Sequence, residues 1–123
     1  MIKQFLFVGL GGALGSMLRY ATSVLTSKYY ANAFPLATFI TNVLGCFLIG
    51  LLLGYFSKSA NQNLQLLMIT GFCGGYTTFS TFAAENISLW QSQNYFILMG
   101  YVLGSVILGC LAVGLGLFIS RSF

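Results

Sequence analysis

Gly71-Phe72-Cys73-Gly74-Gly75-Tyr76-Thr77-Thr78-Phe79-Ser80-Thr81-Phe82 lies in the middle of the third long apolar stretch of this chain. Gly71, Gly74 and Gly75 make an unbroken helix costly, at about 1 kcal/mol each relative to Ala. Thr77, Thr78, Ser80 and Thr81 compete with the backbone for its hydrogen bonds. A helix interrupted inside a bilayer leaves peptide groups unpaired. That is tolerated only where the backbone is buried in protein or lines a polar cavity. The run therefore predicts a third span broken near residues 74–78. Freed carbonyls at such a break commonly coordinate a cation. A tight glycine crossing of two helices, with no ion, satisfies the same composition, and the residues alone leave both readings open.

Working outward, the 123 residues are 58% hydrophobic and 5% charged. Soluble domains carry roughly 25% charged residues, so this surface is not built to face water. Apolar stretches at 4–26, 35–56, 64–89 and 95–119 each exceed the roughly 20 residues that a helix needs to cross a bilayer. Ser27–Asn32, Ser57–Asn63 and Gln91–Asn94 separate them with turn-forming residues. The fold class expected is all-α and integral to the membrane: one domain, residues 1–123, with four transmembrane helices and a break in the third. A cleaved leader is not expected, because Arg19 interrupts the first apolar run and the following chain is equally apolar.

Four spans place both termini on one side. Lys3, Lys58 and Arg121 then flank that side, while Lys28 and a snorkelling Arg19 favour the other. Three charges against two is a weak orientation signal. A homodimer of two oppositely inserted copies follows from this near-balance. Gly11-xxx-Gly15, Gly50-xxx-Gly54 and Gly100-xxx-Gly104 each set two glycines on one helical face, suited to close helix contact within a subunit or between two. Cys46, Cys73 and Cys110 have no CxxC spacing and no His beside them, so inert thiols are expected rather than a metal set or a disulfide framework.

Polar groups recur at helical spacing. Phe79, Phe82 and Glu85 follow at steps of three, and Thr78 lies one turn before Phe82. Asn42 follows Thr38 by one turn in the second span, and Ser105 follows Tyr101 by one turn in the fourth. Polar side chains in such spans face the protein interior and need partners, so plain helix–helix glue competes with a pore lining. A track of hydroxyls, an amide and ring edges suits a small anion, because it offers hydrogen-bond donors and the positive edge of aromatic quadrupoles. One carboxylate and no His supply a proton relay poorly. Arg19 near the surface would attract an anion at the entrance.

These residues resemble the Fluc/CrcB fluoride channels. The likeness is carried by Thr41-Asn42-Val43-Leu44-Gly45-Cys46-Phe47, by the run from Gly71 to Phe82, and by Gly11-Gly12-Ala13-Leu14-Gly15-Ser16-Met17-Leu18-Arg19-Tyr20. It spans the chain in length, span number and motif order. The resemblance implies an antiparallel, dual-topology homodimer in the cell (inner) membrane. Its two pores would let cytoplasmic fluoride leave passively, in preference to chloride. It also implies a structural Na+ at the dimer centre, held by the backbone carbonyls of Gly74 and Thr77 from each subunit. Phe79 and Phe82 match the pore phenylalanines, Asn42 the pore asparagine, Arg19 the vestibule base and Glu85 the buried carboxylate. Thr78, Thr81, Tyr101 and Ser105 resemble the polar lining. Gly109 departs from a longer track, because a hydroxyl there would extend the line one turn beyond Ser105. The partners implied are fluoride, a second copy and the lipid bilayer, with no nucleic acid.

Two other classes are less well served. A small four-helix drug exporter needs an acid in its first span, where this chain has Arg19; Glu85 is its only carboxylate. A purely structural subunit gives no reason for a broken span lined with Thr and Phe. An enzyme would need a nucleophile–base pair, and none is present.

Overall fold

A computed structural model describes residues 1–123, all helical apart from the connections. Helix α1 (Ile2–Tyr29), α2 (Leu36–Phe56) and α6 (Tyr95–Arg121) are each long and apolar enough to cross a membrane. Between α2 and α6 the chain is divided. A short α3 (Gln62–Gln65) leads into a π-helical segment (Leu66–Cys73), then α4 (Gly74–Tyr76), two extended residues and α5 (Phe79–Gln91). No piece of this third stretch is by itself of membrane-crossing length.

Local chemistry accounts for the ends. The Asn61 side chain accepts the N–H of Leu64 at 3.1 Å and starts α3. Lys28 stands in the last turn of α1, where a cation complements the helix dipole. Gln93, at φ 61°, turns the chain from α5 into α6 in the left-handed conformation, and the Asn94 N–H reaches back to Leu89 O at 2.9 Å.

Glycines hold the bundle together by vacancy of side chain. The most extensive pairing is α2 against α6. A Cβ on Gly116 would lie 2.7 Å from Leu51 N, and one on Gly54 would lie 2.6 Å from Ser120 Cβ. The next is α1 against the π-helical segment and α4. There a Cβ on Gly71 would meet Val8 O at 2.7 Å, and one on Gly75 would meet Gly12 O at 2.5 Å. Such contacts let two backbones touch, which is how helices associate in lipid without a hydrophobic driving force. The faces Gly11-xxx-Gly15 and Gly50-xxx-Gly54 are thus used inside the chain. Gly100-xxx-Gly104 is not: nothing lies within 4 Å of a Cβ on Gly100, and only a Phe39 ring carbon, at 3.7 Å, approaches Gly104.

Only 15 of 123 residues are buried, and α1 buries just Gly11 and Gly15 while exposing Phe5, Leu10, Leu14 and Met17. An apolar surface of this extent is stable against lipid or against another copy of the chain, not in water.

Candidate functional site

The site grows from the interruption of the third stretch. Gly71, Gly74 and Gly75 stay helical, and no glycine in the chain adopts positive φ. The break falls instead on Thr77 (φ −82°, ψ 156°) and Thr78 (φ −151°, ψ 120°). Gly71 and Gly75 serve the α1 crossing, Gly74 has nothing within 4 Å of a Cβ, and the hydroxyl residues carry the break.

Each group freed by the break has a particular fate. In a continuous helix the Thr78 N–H would close on Gly74 O; here it donates to Asn42 Oδ1 at 2.8 Å. Asn42 Nδ2 donates in return to Thr78 O at 3.1 Å. The amide of α2 therefore clamps the extended residue on both sides. Arg19 Nε donates to Gly75 O at 3.1 Å, so the α1 guanidinium caps another carbonyl of the interrupted turn. Arg19 is thereby tied into the protein. The Thr78 hydroxyl caps α5 by accepting Thr81 N–H at 3.3 Å and donates to Thr81 Oγ1 at 3.1 Å. Thr77 Oγ1 donates to Cys73 O at 2.7 Å. With the N–H groups of Thr78 and Thr81 engaged elsewhere, the carbonyls of Gly74 and Thr77 lose their helical donors.

Two cavities meet at this break, and Thr78 lines both. The first, of about 520 Å³, lies beside α2, the π-helical segment and α6. Asn42, Cys46, Gly74, Thr77, Phe79, Phe82 and Ser105 line it, and no Lys, Arg, Asp or Glu does. Phe79 and Phe82 stand with ring centroids 5.9 Å apart, and Phe79 is 79% exposed on the open face of the chain. Ser105 lines the same cavity, and its buried Oγ has no hydrogen-bond partner. The second cavity, of about 410 Å³, is a polar cleft between α1, the α1–α2 connection and α5. Arg19, Thr81 and Glu85 line it, together with hydroxyls of α1 such as Ser16, Ser23 and Thr26.

Tyr101 lines neither cavity. It is completely buried, edge-on to Phe82 at a 5.0 Å centroid distance, and its hydroxyl donates to Glu85 Oε2 at 2.6 Å. Thr38 Oγ1 donates to Glu85 Oε1, also at 2.6 Å. Both oxygens of the only carboxylate thus accept short hydroxyl hydrogen bonds. Of the predicted site residues, Asn42, Gly74, Thr77, Thr78, Phe79, Phe82 and Ser105 come together on one cavity. Arg19, Thr81 and Glu85 belong to the other, and Tyr101 joins the two through Phe82 and Glu85. The pairing of Thr38 with Glu85 has one signal in the sequence, the place of Thr38 one turn before Asn42 as a second polar group on an apolar helix.

A polytopic α-helical membrane protein with an interrupted stretch held open inside it is the class defined by this fold and site. The sequence matches the family described as "CrcB-like protein, Camphor Resistance (CrcB)" over residues 6–117. The "Fluoride-specific ion channel FluC" of Azobacteroides pseudotrichonymphae is 45% identical over 125 residues, covering 100% of both chains. The protein of the same name from Flavobacterium psychrophilum is 48% identical over 122 residues, 98% of each chain. That of Paracoccus denitrificans is 43% identical over 121 residues, covering 98% of this chain and 97% of the relative. The chain belongs to the CrcB family, which is a family of ion channels and not of enzymes.

Proposed function

We propose that this protein is a fluoride-selective channel of the inner membrane, crossing four times and working as an antiparallel homodimer with two pores. The observation that carries the reading is the cavity beside the break. It offers the Phe79 and Phe82 rings, the unpartnered Ser105 hydroxyl and the polar edge of Asn42, with no charged side chain among them. Fluoride is small and strongly hydrated, so removing its water requires several donors placed in advance. A full positive charge would hold it too firmly, whereas conduction needs weak, successive sites. Neutral donors and ring edges meet both demands. Relatives alike over nearly the whole chain are named as fluoride-specific channels.

In this reading the inside-negative potential drives the anion outward and lowers its toxicity. Arg19, in the polar cleft, raises local anion concentration at a mouth of the path. Thr78 and Thr81 offer hydroxyls where the cleft meets the break. Tyr101 acts by fixing Glu85 and packing against Phe82, and its own proton is committed to the carboxylate.

The carbonyls of Gly74 and Thr77 suit a hard cation, since each has lost its helical donor and Gly74 is exposed on the open face. Two carbonyls from one chain make half a shell. A second copy across the open face would complete a structural Na+ site of four backbone oxygens, neutral ligands that a weakly charged ion tolerates.

The test is efflux from liposomes containing the purified protein, loaded with fluoride or, separately, with chloride. Rapid fluoride release with little chloride release is expected. A folded protein that releases neither ion would overturn the channel reading.

A further inference from the structure

The pore reading leaves a gap on α6, because Gly109 has no side chain where the line from Ser105 would continue. The structure fills that place from the neighbouring helix. Cys46 stands one turn after Asn42 on α2, as Gly109 stands one turn after Ser105 on α6. Cys46 Sγ lies 3.5 Å from the position a Cβ would take on Gly109, an ordinary van der Waals distance. Cys46 and Ser105 line the same cavity, with Phe79 and Phe82. Gly109 is buried, so the thiol covers its backbone.

We infer that Cys46 is a further lining residue of the conduction path: its S–H supplies the donor that Gly109 lacks, and its sulfur makes the path sensitive to small thiol-directed reagents. The thiol is a weak donor, which suits a position where an anion must be passed on rather than held. The other two cysteines are placed differently. Cys73 also borders the cavity but is only 1% exposed, closed off by packing. Cys110 is exposed on α6, outside both cavities. Of the three, Cys46 is the thiol that is both partly exposed and on the cavity.

The inference rests on the channel reading, and the experiment separates the two. Fluoride efflux is measured first for the untreated protein; absence of flux there would count against the channel itself. The proteoliposomes are then treated with methyl methanethiosulfonate, which is small and neutral. The sulfur of Cys46 attacks the reagent's sulfenyl sulfur, a Cys46–S–S–CH3 bond forms, methanesulfinate leaves and the thiol proton passes to water. Flux is expected to fall at least about tenfold, because the added S–CH3 group occupies the lining, and a reductant should restore it. Cys46→Ser, which keeps a donor but has no thiol, should resist the reagent, while Cys73→Ala and Cys110→Ala remain sensitive. Cys46→Val, which keeps bulk without a donor, should lower flux about two- to threefold, the low end of the effect of losing one hydrogen bond because the thiol is a weak donor. Block that persists in Cys46→Ser, or unaltered flux in Cys46→Val, would overturn the assignment.

Discussion

Asn42 shows how one side chain decides whether a broken backbone can exist inside a membrane. Its amide has one acceptor and two donor hydrogens, and the structure uses the acceptor and one donor on the N–H and C=O of Thr78. One amide hydrogen remains for the cavity that Asn42 lines. Structural glue and the proposed pore lining are therefore compatible in the same group. Removing it leaves two part-buried backbone groups without their partner, each costing about 1–3 kcal/mol. Asn42→Ala is expected to lower stability by about 2–6 kcal/mol on that basis, read as a lower midpoint in a thermal or denaturant melt in detergent. A melt unchanged by the substitution would mean that water or another group satisfies Thr78. That Asn42 needs a polar partner is legible in the sequence, as one amide among apolar residues. That the partner is the backbone of Thr78, 36 residues away, is not, because nothing local pairs them.

At the scale of elements, glycine has two separable uses. The glycines of the third stretch read as helix breakers, yet the break lies beyond them, and Gly71 and Gly75 carry the crossing with α1. A Cβ at Gly15 would lie 2.8 Å from Tyr76 N and closer still to Phe72 O, both backbone atoms that cannot swing away. Gly15→Ala is expected to cost about 1–3 kcal/mol through overpacking, and to loosen the junction at which Arg19 reaches Gly75. Gly100→Ala is the matched control. Nothing lies within 4 Å of its Cβ, so within the chain it should gain up to about 1 kcal/mol of helix propensity. Comparing the two melting midpoints checks the contrast. If Gly100→Ala instead dissociates the oligomer, the Gly100-xxx-Gly104 face packs against another subunit.

For the whole molecule the open question is what covers the apolar faces. Phe79, Ser80 and Gly74 are exposed around the break, next to carbonyls that have lost their donors. A membrane has no water to satisfy them, and this is the ground on which the proposed second copy and shared cation rest. Replacing Na+ by a large organic cation is expected to weaken the dimer and slow fluoride flux while helicity is kept. Glutaraldehyde cross-linking, efflux and circular dichroism on the same sample check this. A dimer and a flux indifferent to Na+ would remove the cation from the account.

Composition, span periodicity and the Gly71–Phe82 run by themselves determined that the chain is helical, apolar enough for lipid and interrupted in its third stretch. These are short-range consequences of residue type, set by hydrophobicity, helix propensity and hydroxyl competition for the backbone. Tertiary structure alone decided that Thr77 and Thr78 carry the interruption, that Asn42 and Arg19 satisfy it, and that Thr38 and Tyr101 share Glu85. It also decided that Cys46 covers Gly109. Each of these is a pairing between helices distant in sequence, fixed by which backbones the glycines allow to touch, and no local pattern encodes such a distance.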